Sequence, residues 1–378
     1  MAEPRPAVTT LQFNTTVRFG RGARSLLPGE LRALGIGRPL VVTDRGVIAA
    51  GVLALALGDL RGDVFNATPA NPTEDSTALA LAQYREADAD GIIGIGGGAA
   101  LDLAKAVAVM AGSPPGHEGT LWEYCNRHAA PRPIQSPPPL ILLPTTAGSG
   151  SEVGRSAVII FRNGIKAGIG CPRIVSLAIC DPDLTLTLPP GMTAATGMDA
   201  LSHCVETFCS PTINPPVDAI VLDGLARLSA AITLATANGS DHAARWDMMM
   251  GALEGAIGFQ KGMGAVHSLS HALGPLGFHH GTLNAVLLPP VMAANQDVLG
   301  DKLGRLRTAM RLPIDADIPE AFAALNASLG LPSGLGAMGF DRSMIPAIAL
   351  AAMDDNAHRT NPQPLGPLDY EAILNHAL

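Results

Sequence analysis

The sequence predicts an α/β domain built on a buried parallel sheet over residues 1–188, followed by an all-helical domain over residues 189–378. Three observations carry this. The first half alternates short, continuously apolar runs with helix-length segments, the pattern of parallel strands covered on both faces. Beyond Pro189-Pro190 the strand-like runs nearly vanish and long helical periodicities take over. A length of 378 residues suits two domains with a cleft between them.

Taken in order, Thr15 to Phe19 reads as an early strand. Pro39-Leu-Val-Val-Thr-Asp44 is a short buried strand ending on an acid, and Gly46 to Leu60 a helix of small residues. Val64 to Asn66 is a brief strand, and Thr73 to Ala87 an amphipathic helix started by Asn71-Pro72-Thr73. Gly91-Ile-Ile-Gly-Ile95 is a buried strand, followed by three glycines and a helix from Ala99 to Ala111. Pro139 to Leu143 is another apolar strand, leading into the polar loop Pro144 to Glu152. In the second half, helices are expected over Thr193 to Cys209, Pro216 to Ala237, His242 to Gly262, Gly264 to Leu273 and Asn284 to Asn295. No internal repeat is evident.

Hydrophobic residues make up 47% and charged residues 15%, enough for a large core. The net charge of −8 without a basic cluster argues against a nucleic-acid partner. No purely apolar run reaches 18 residues, and Met1 to Val8 shows no signal-peptide pattern, so neither a membrane partner nor export is expected. Five scattered cysteines without a C-x-x-C suit reduced thiols in a cytoplasmic protein.

Gly96-Gly97-Gly98 sits between a strand and a helix. Glycines let the backbone approach an anion, and the helix start offers unpaired N–H groups, so a pyrophosphate fits there. A tight turn with no ligand is the plainer alternative. The loop Pro144-Thr-Thr-Ala-Gly-Ser-Gly-Ser-Glu152 offers hydroxyls and glycines without bulk, as a cofactor cradle would. Asp44 has two readings. It accepts hydrogen bonds from an adenosine ribose, favouring NAD over NADP, or it starts a helix.

Six of the ten histidines fall between residues 203 and 280. Asp199 and His203 are four apart, as are His267 and His271, so each pair shares a helix face. His279-His280-Gly281 follows. A carboxylate with neutral imidazoles suits Zn²⁺ or Fe²⁺. Cys204 lies about 100° around the helix from His203 and points elsewhere.

These residues resemble the iron-containing alcohol dehydrogenase family. The matching segments are Gly96 to Asp102, Pro144 to Glu152, Asp181-Pro182, Gly197 to His203, and His267 through Gly281, in the family's order. The resemblance implies a Rossmann-like domain and a helical domain in the dehydroquinate synthase-like architecture, with a metal in the cleft. It places the ligands on Asp199, His203, His267 and His280, and gives His271 a place beside the nicotinamide. Lys166 and Asn71 fall with the cofactor contacts, together with Asp102, Thr145, Thr146, Ser149 and the three glycines. Ala99 replaces the usual serine, and the loop before His279-His280 is about one residue shorter than usual. Within the family, Gly197 to Phe208 and His279 to Pro289 look most like 4-hydroxybutyrate dehydrogenases. Maleylacetate reductases, with an amide where Asp199 stands, rank lower.

The expected reaction is reversible hydride transfer between NAD(H) and a small-molecule primary alcohol or aldehyde, with a divalent metal polarising the oxygen and His271 passing the proton to solvent. A 4-hydroxybutyrate-type substrate needs a cation for its carboxylate; Arg155, Lys261 and Arg359 are the candidates, and Phe259 and Trp122 are candidate pocket walls. Two alternatives use the same parts: a synthase or transhydrogenase, and a non-enzymatic metal- or nucleotide-binding protein. A homodimer through the N-terminal strand follows from the exposed-edge argument.

Overall fold

A computed structural model describes residues 11–13 and 15–378. The reading of Met1 to Val8 lies outside the described residues. Six strands form one parallel sheet: β1 (Val17–Phe19), β2 (Pro39–Val42), β3 (Asp63–Phe65), β4 (Gly91–Gly96), β5 (Leu140–Pro144) and, after an antiparallel hairpin of β6 (Ser156–Ile160) and β7 (Lys166–Gly170), β8 (Leu177–Cys180). The order across the sheet is β1-β8-β5-β4-β2-β3. Pairing of Val42 with Gly94 and of Gly96 with Pro144 sets the carboxyl ends of β2, β4 and β5 side by side.

Alternation along these strands explains their continuous apolarity. Ile92, Leu140 and Leu142 face one core, beneath α4 (Glu74–Glu86) and α5 (Gly98–Ala111), while Ile93, Ile95, Ile141 and Leu143 face another. The second core lies against α1 (Leu27–Ala33) and α3 (Val52–Leu57). The expected helix over Gly46 to Leu60 is two pieces, α2 (Arg45–Ala49) and α3. Gly51 takes the left-handed conformation at φ +73° between them, which ends one helix and starts the next. Three strands, β6, β7 and β8, were not anticipated between the polar loop and Pro189.

Residues 190–376 are helical, with connecting turns. The helices are α6 (Pro190–Cys209), α7 (Pro215–Ala237), α8 (His242–Ile257), α9 (Ala265–Leu273), α10 (His280–Leu299), α11 (Asp301–Ala309), α12 (Ile318–Ser328), α13 (Ile345–Met353) and α14 (Pro367–His376). Helix α8 ends at Ile257, short of the expected Gly262, because the chain tightens into a 3-10 turn over Gly258–Lys261. Helix α10 begins four residues earlier than expected and continues through Pro289 and Pro290. Burial on both sides of that pair, including Leu287, Leu288, Val291 and Met292, offsets the lost backbone bonds.

Helix α6 is the axis of this half, with Ala194 and the stretch from Gly197 to Cys209 buried. Helix α7 has the length and hydropathy of a membrane span, but its stripe Val217, Val221, Leu225, Leu228 and Ile232 lies in the core formed with α6 and α8. All five cysteines are free and buried.

Candidate metal and cofactor site

A cavity of about 890 Å³ separates the carboxyl edge of the sheet from α6, α9 and the start of α10. Of the fifteen residues named above as metal ligands, cofactor contacts or proton carrier, fourteen line it. The exception is Gly96, which ends β4 and whose carbonyl accepts from the Thr145 N–H at 2.9 Å.

On the sheet side, no side chain caps the first turn of α5, whose N-cap is Gly97. Its free N–H groups and dipole therefore face the cavity, an anion site by construction. A Cβ on Gly98 would lie 2.8 Å from the Ser149 side chain, so glycine is what lets the two loops close on each other. Asp44 satisfies its helix-start reading, since it accepts from the Val47 N–H at 2.9 Å while also lining the cavity. Asp102 is engaged within the protein. It accepts from Ser151 Oγ at 2.5 Å, from the Val158 N–H at 3.1 Å and from Lys105 Nζ at 3.5 Å, tying α5 to β6. Lys166 Nζ donates to Asn71 Oδ1 at 3.0 Å, and burial lowers its pKa.

On the helix side, Asp199 Oδ1 is approached by three imidazole nitrogens: Nε2 of His203 at 3.4 Å and Nε2 of His267 and of His280 at 3.7 Å each. Candidate ligand atoms of Asp199, His267 and His280 all lie within 4.8 Å of one another. His203 stacks on His267, ring centroids 4.7 Å apart, with the Phe259 edge on its other side at 4.7 Å. His279 is turned away and accepts from the Thr282 N–H as the N-cap of α10. A Cβ on Gly281 would collide with the Ala195 carbonyl, so glycine lets α10 bring His280 against α6. Cys204 points to the Gly251 carbonyl instead.

The amide nitrogen of Asn284 donates to Asp199 Oδ1 at 2.6 Å and lies 3.2 Å from Nε2 of both His267 and His280. A donor thus already sits where three acceptor atoms converge, and one carboxylate with three imidazoles fits a divalent cation. Burial opposes ionisation of Asp199, but the histidines around it outweigh that and hold its carboxyl below the usual range. Burial pushes His203 down to about 4 and His280 well below its ordinary value, so both are neutral donors at physiological pH. Burial acts the same way on His267, but Asp199 and Glu206 on either side overcome it and raise the imidazole to about 9.

Three residues were missed from the sequence. Glu206 accepts from His267 Nδ1 at 2.5 Å and from the Val266 N–H at 2.7 Å, fixing the ring that faces Asp199. It lies three residues after His203 on the same face of α6, so its spacing was a readable signal. Asn284 lies four residues after His280 and was equally readable. Asp355, which accepts from His271 Nδ1 at 3.1 Å, arrives from the far C-terminal segment with no local signal. His271 itself lies parallel to His280 at 5.6 Å. Of the other candidates, Phe259 lines the cavity, whereas Trp122 packs edge-on against Phe161 at 5.0 Å, away from it. Lys261 is buried against Asp218, and Arg359 is exposed and does not line the cavity.

A parallel sheet presenting glycine and hydroxyl loops across a cleft from an Asp/His₃ cluster defines a nicotinamide- and metal-dependent oxidoreductase. Residues 14–182 match the family described as iron-containing alcohol dehydrogenase, and residues 193–378 match the C-terminal domain of the Fe-containing alcohol dehydrogenase family. The chain belongs to the iron-containing alcohol dehydrogenase family. It is 46% identical to the 4-hydroxybutyrate dehydrogenase of Cupriavidus necator, over 97% of this chain and 99% of that one. It is 32% identical to long-chain-alcohol dehydrogenase 1 of Geobacillus thermodenitrificans, over 98% and 97%. Among solved structures, a 1,3-propanediol oxidoreductase superposes with a TM-score of 0.90 at 29% identity, covering 98% of this chain and 100% of that one. Membership makes the chain an alcohol dehydrogenase that interconverts an alcohol and an aldehyde with NAD(H) and a divalent metal.

Proposed function

We propose that the chain interconverts 4-hydroxybutyrate and succinic semialdehyde with NAD(H). The observation that carries this is the Asp/His₃ cluster facing the glycine and hydroxyl loops across one cavity, in a chain 46% identical to a 4-hydroxybutyrate dehydrogenase. Residues 1–188 form the dinucleotide-binding unit and residues 189–378 the metal-binding unit. Asp199, His203, His267 and His280 hold Fe²⁺ or Zn²⁺, which when bound supplies Lewis acidity toward the substrate oxygen. NAD(H) supplies the hydride carrier. Gly96, Gly97 and Gly98 with Thr145, Thr146 and Ser149 cradle its phosphates and nicotinamide half. Asp44 meets the adenosine ribose, Asn71 and Lys166 the nicotinamide ribose, and Asp102 holds the cradle in shape.

Glu206 holds the Nδ1 proton of His267, so Nε2 is the nitrogen turned to the metal position, where a bound cation would replace its proton. Asp355 does the same for His271, whose Nε2 is then the atom that takes and returns the substrate proton. Phe259 and Met263 line the same cavity and exclude water from the reacting centre. The protein works in the cytoplasm as a homodimer, formed where β1 ends the sheet with one side unpaired among the described residues.

Purified protein given NADH and succinic semialdehyde is expected to consume NADH, to stop when metal is chelated, and to recover on adding Fe²⁺ or Zn²⁺. Metal-independent turnover, or none with any short aldehyde, would sink this reading.

A further inference from the structure

A four-carbon hydroxy acid brings a carboxylate into the cavity, which costs heavily unless a cation meets it. Among the described residues, three arginine or lysine side chains line the cavity: Arg127, Arg155 and Lys166. Arg127 already has a carboxylate within reach, Asp354 at 3.7 Å. Lys166 is spent on Asn71, and its burial disfavours the charged amine. Arg155 donates one hydrogen bond, from Nη2 to Gln12 Oε1 at 3.1 Å, and among the described residues it has no carboxylate partner.

Arg155 lines the cavity between Gly154 and Ser156, beside the hydroxyl loop. The Arg155 carbonyl accepts from the Cys171 N–H at 2.9 Å, which pins the backbone at the entry to β6. The Gln12 that takes its guanidinium donates its own N–H to Gln260 Oε1 at 3.2 Å. Gln260 is the neighbour of Phe259, whose ring stands against the metal-facing His203. The relay therefore links Arg155, on the sheet side, to the 3-10 turn of the helical half that carries Phe259. A guanidinium carries five N–H donors in a planar fork that matches a carboxylate in two parallel hydrogen bonds. One donor here is held by the protein.

We propose that Arg155 is the carboxylate subsite of this enzyme, selecting ω-oxo and ω-hydroxy acids over neutral alcohols and aldehydes of the same length. This rests on the hydroxy-acid reading above.

The experiment compares succinic semialdehyde with butanal, which has the same carbon count and no charge, in the holoenzyme and in Arg155→Met and Arg155→Lys. In the parent, kcat/KM is expected to favour succinic semialdehyde. Arg155→Met should lower kcat/KM for the acid roughly 30- to 100-fold, the loss expected for a charge-assisted pair, mainly through KM, with butanal unchanged. Arg155→Lys should recover part of the loss, since it keeps the charge but not the fork. A parent that reduces butanal as well as the acid overturns the hydroxy-acid reading whatever the variants do. A parent that discriminates, with Arg155→Met discriminating equally or losing both substrates equally, overturns the Arg155 assignment and leaves the reading standing. Thermal unfolding and bound-metal content of each variant separate a folding defect from either outcome.

Discussion

The two walls of the cavity meet a ligand in different ways. The sheet side offers the first turn of α5, the glycines Gly97 and Gly98, and the hydroxyls of Thr145, Thr146 and Ser149. What it offers an anion is mostly backbone N–H groups that any sequence possesses, and its glycines are required for closeness, as the Gly98–Ser149 approach shows. The helix side offers side chains alone: Asp199, His203, His267 and His280, on three helices and nearly all buried. Chemistry there hangs on individual atoms, each held by a second residue such as Glu206. Single substitutions on the helix wall should therefore abolish the metal site, whereas the sheet wall should tolerate loss of a hydroxyl.

The largest expected effect is His267→Ala. It removes a nitrogen 3.7 Å from Asp199 Oδ1 and leaves Glu206 with nothing to orient. A metal Lewis acid contributes several kcal/mol to the transition state, so kcat should fall on the order of 1000-fold together with metal content. NADH binding, read by fluorescence titration, should stay within about threefold, because the proposed nucleotide site lies on the opposite wall. Equal losses of metal and nucleotide would break the division between the walls.

Glu206→Gln is smaller and more discriminating. The replacement has the same shape, but an amide has one acceptor and one donor end. Glu206 now accepts from both His267 Nδ1 and the Val266 N–H. If the amide oxygen serves Val266, its NH₂ faces His267 Nδ1 and drives the ring proton to Nε2, the atom that should bind metal. If the amide flips, two N–H groups oppose each other at Val266. Either way metal affinity should drop roughly 10- to 100-fold, the usual effect of disturbing such a partner, while the fold survives. Competition with a graded series of chelators measures it, and unchanged affinity would show that Glu206 is packing only.

How much of this was legible follows the same division. The glycine turn and the hydroxyl loop were readable because a parallel sheet needs a tight turn at each strand end, and the residues that permit it are few. Asp199 with His203, and His267 with His271, were readable because a helix places residues four apart on one face. His280 against His279 was not decided by spacing. The distinction depends on where α10 starts, and that depends on Gly281 packing directly on Ala195 of α6. The β6–β7 hairpin was hidden because Lys166–Gly170 carries two glycines and little strand propensity. Its pairing is reinforced from outside the hairpin, by Asn126 Oδ1 accepting from the Gly170 N–H at 2.8 Å. Asp355 and Gln12 act over long sequence distances, and no local pattern announces them. The family resemblance supplied the ligand set and left Glu206 and Asn284 without roles.

The smallest effect on turnover should come from Glu152, behind the sheet wall. This carboxyl is buried, and burial raises it from 4.5 to about 7, with Lys105 only partly compensating. A carboxyl with a raised folded-state pKa disfavours the native state once pH is high enough to ionise it in the unfolded chain. Its cost is absent below about 4.5, grows between 4.5 and 7, and is constant above. Glu152→Gln removes that ionisation. Its unfolding free energy relative to the parent should rise across this pH window by about 3 kcal/mol at most, the linkage limit for such a shift. Urea titrations at pH 4.5, 6 and 8 measure the gap; a gap that stays flat or shrinks as pH rises would show that Glu152 is ionised and well partnered in the native protein. Turnover at pH 8 should stay within about threefold, since the wall in front of Glu152 works through backbone and hydroxyl groups. A collapse of turnover with stability gained would instead mark Glu152 as part of the working site, and the sheet wall would then depend on a buried acid as the helix wall does on Glu206.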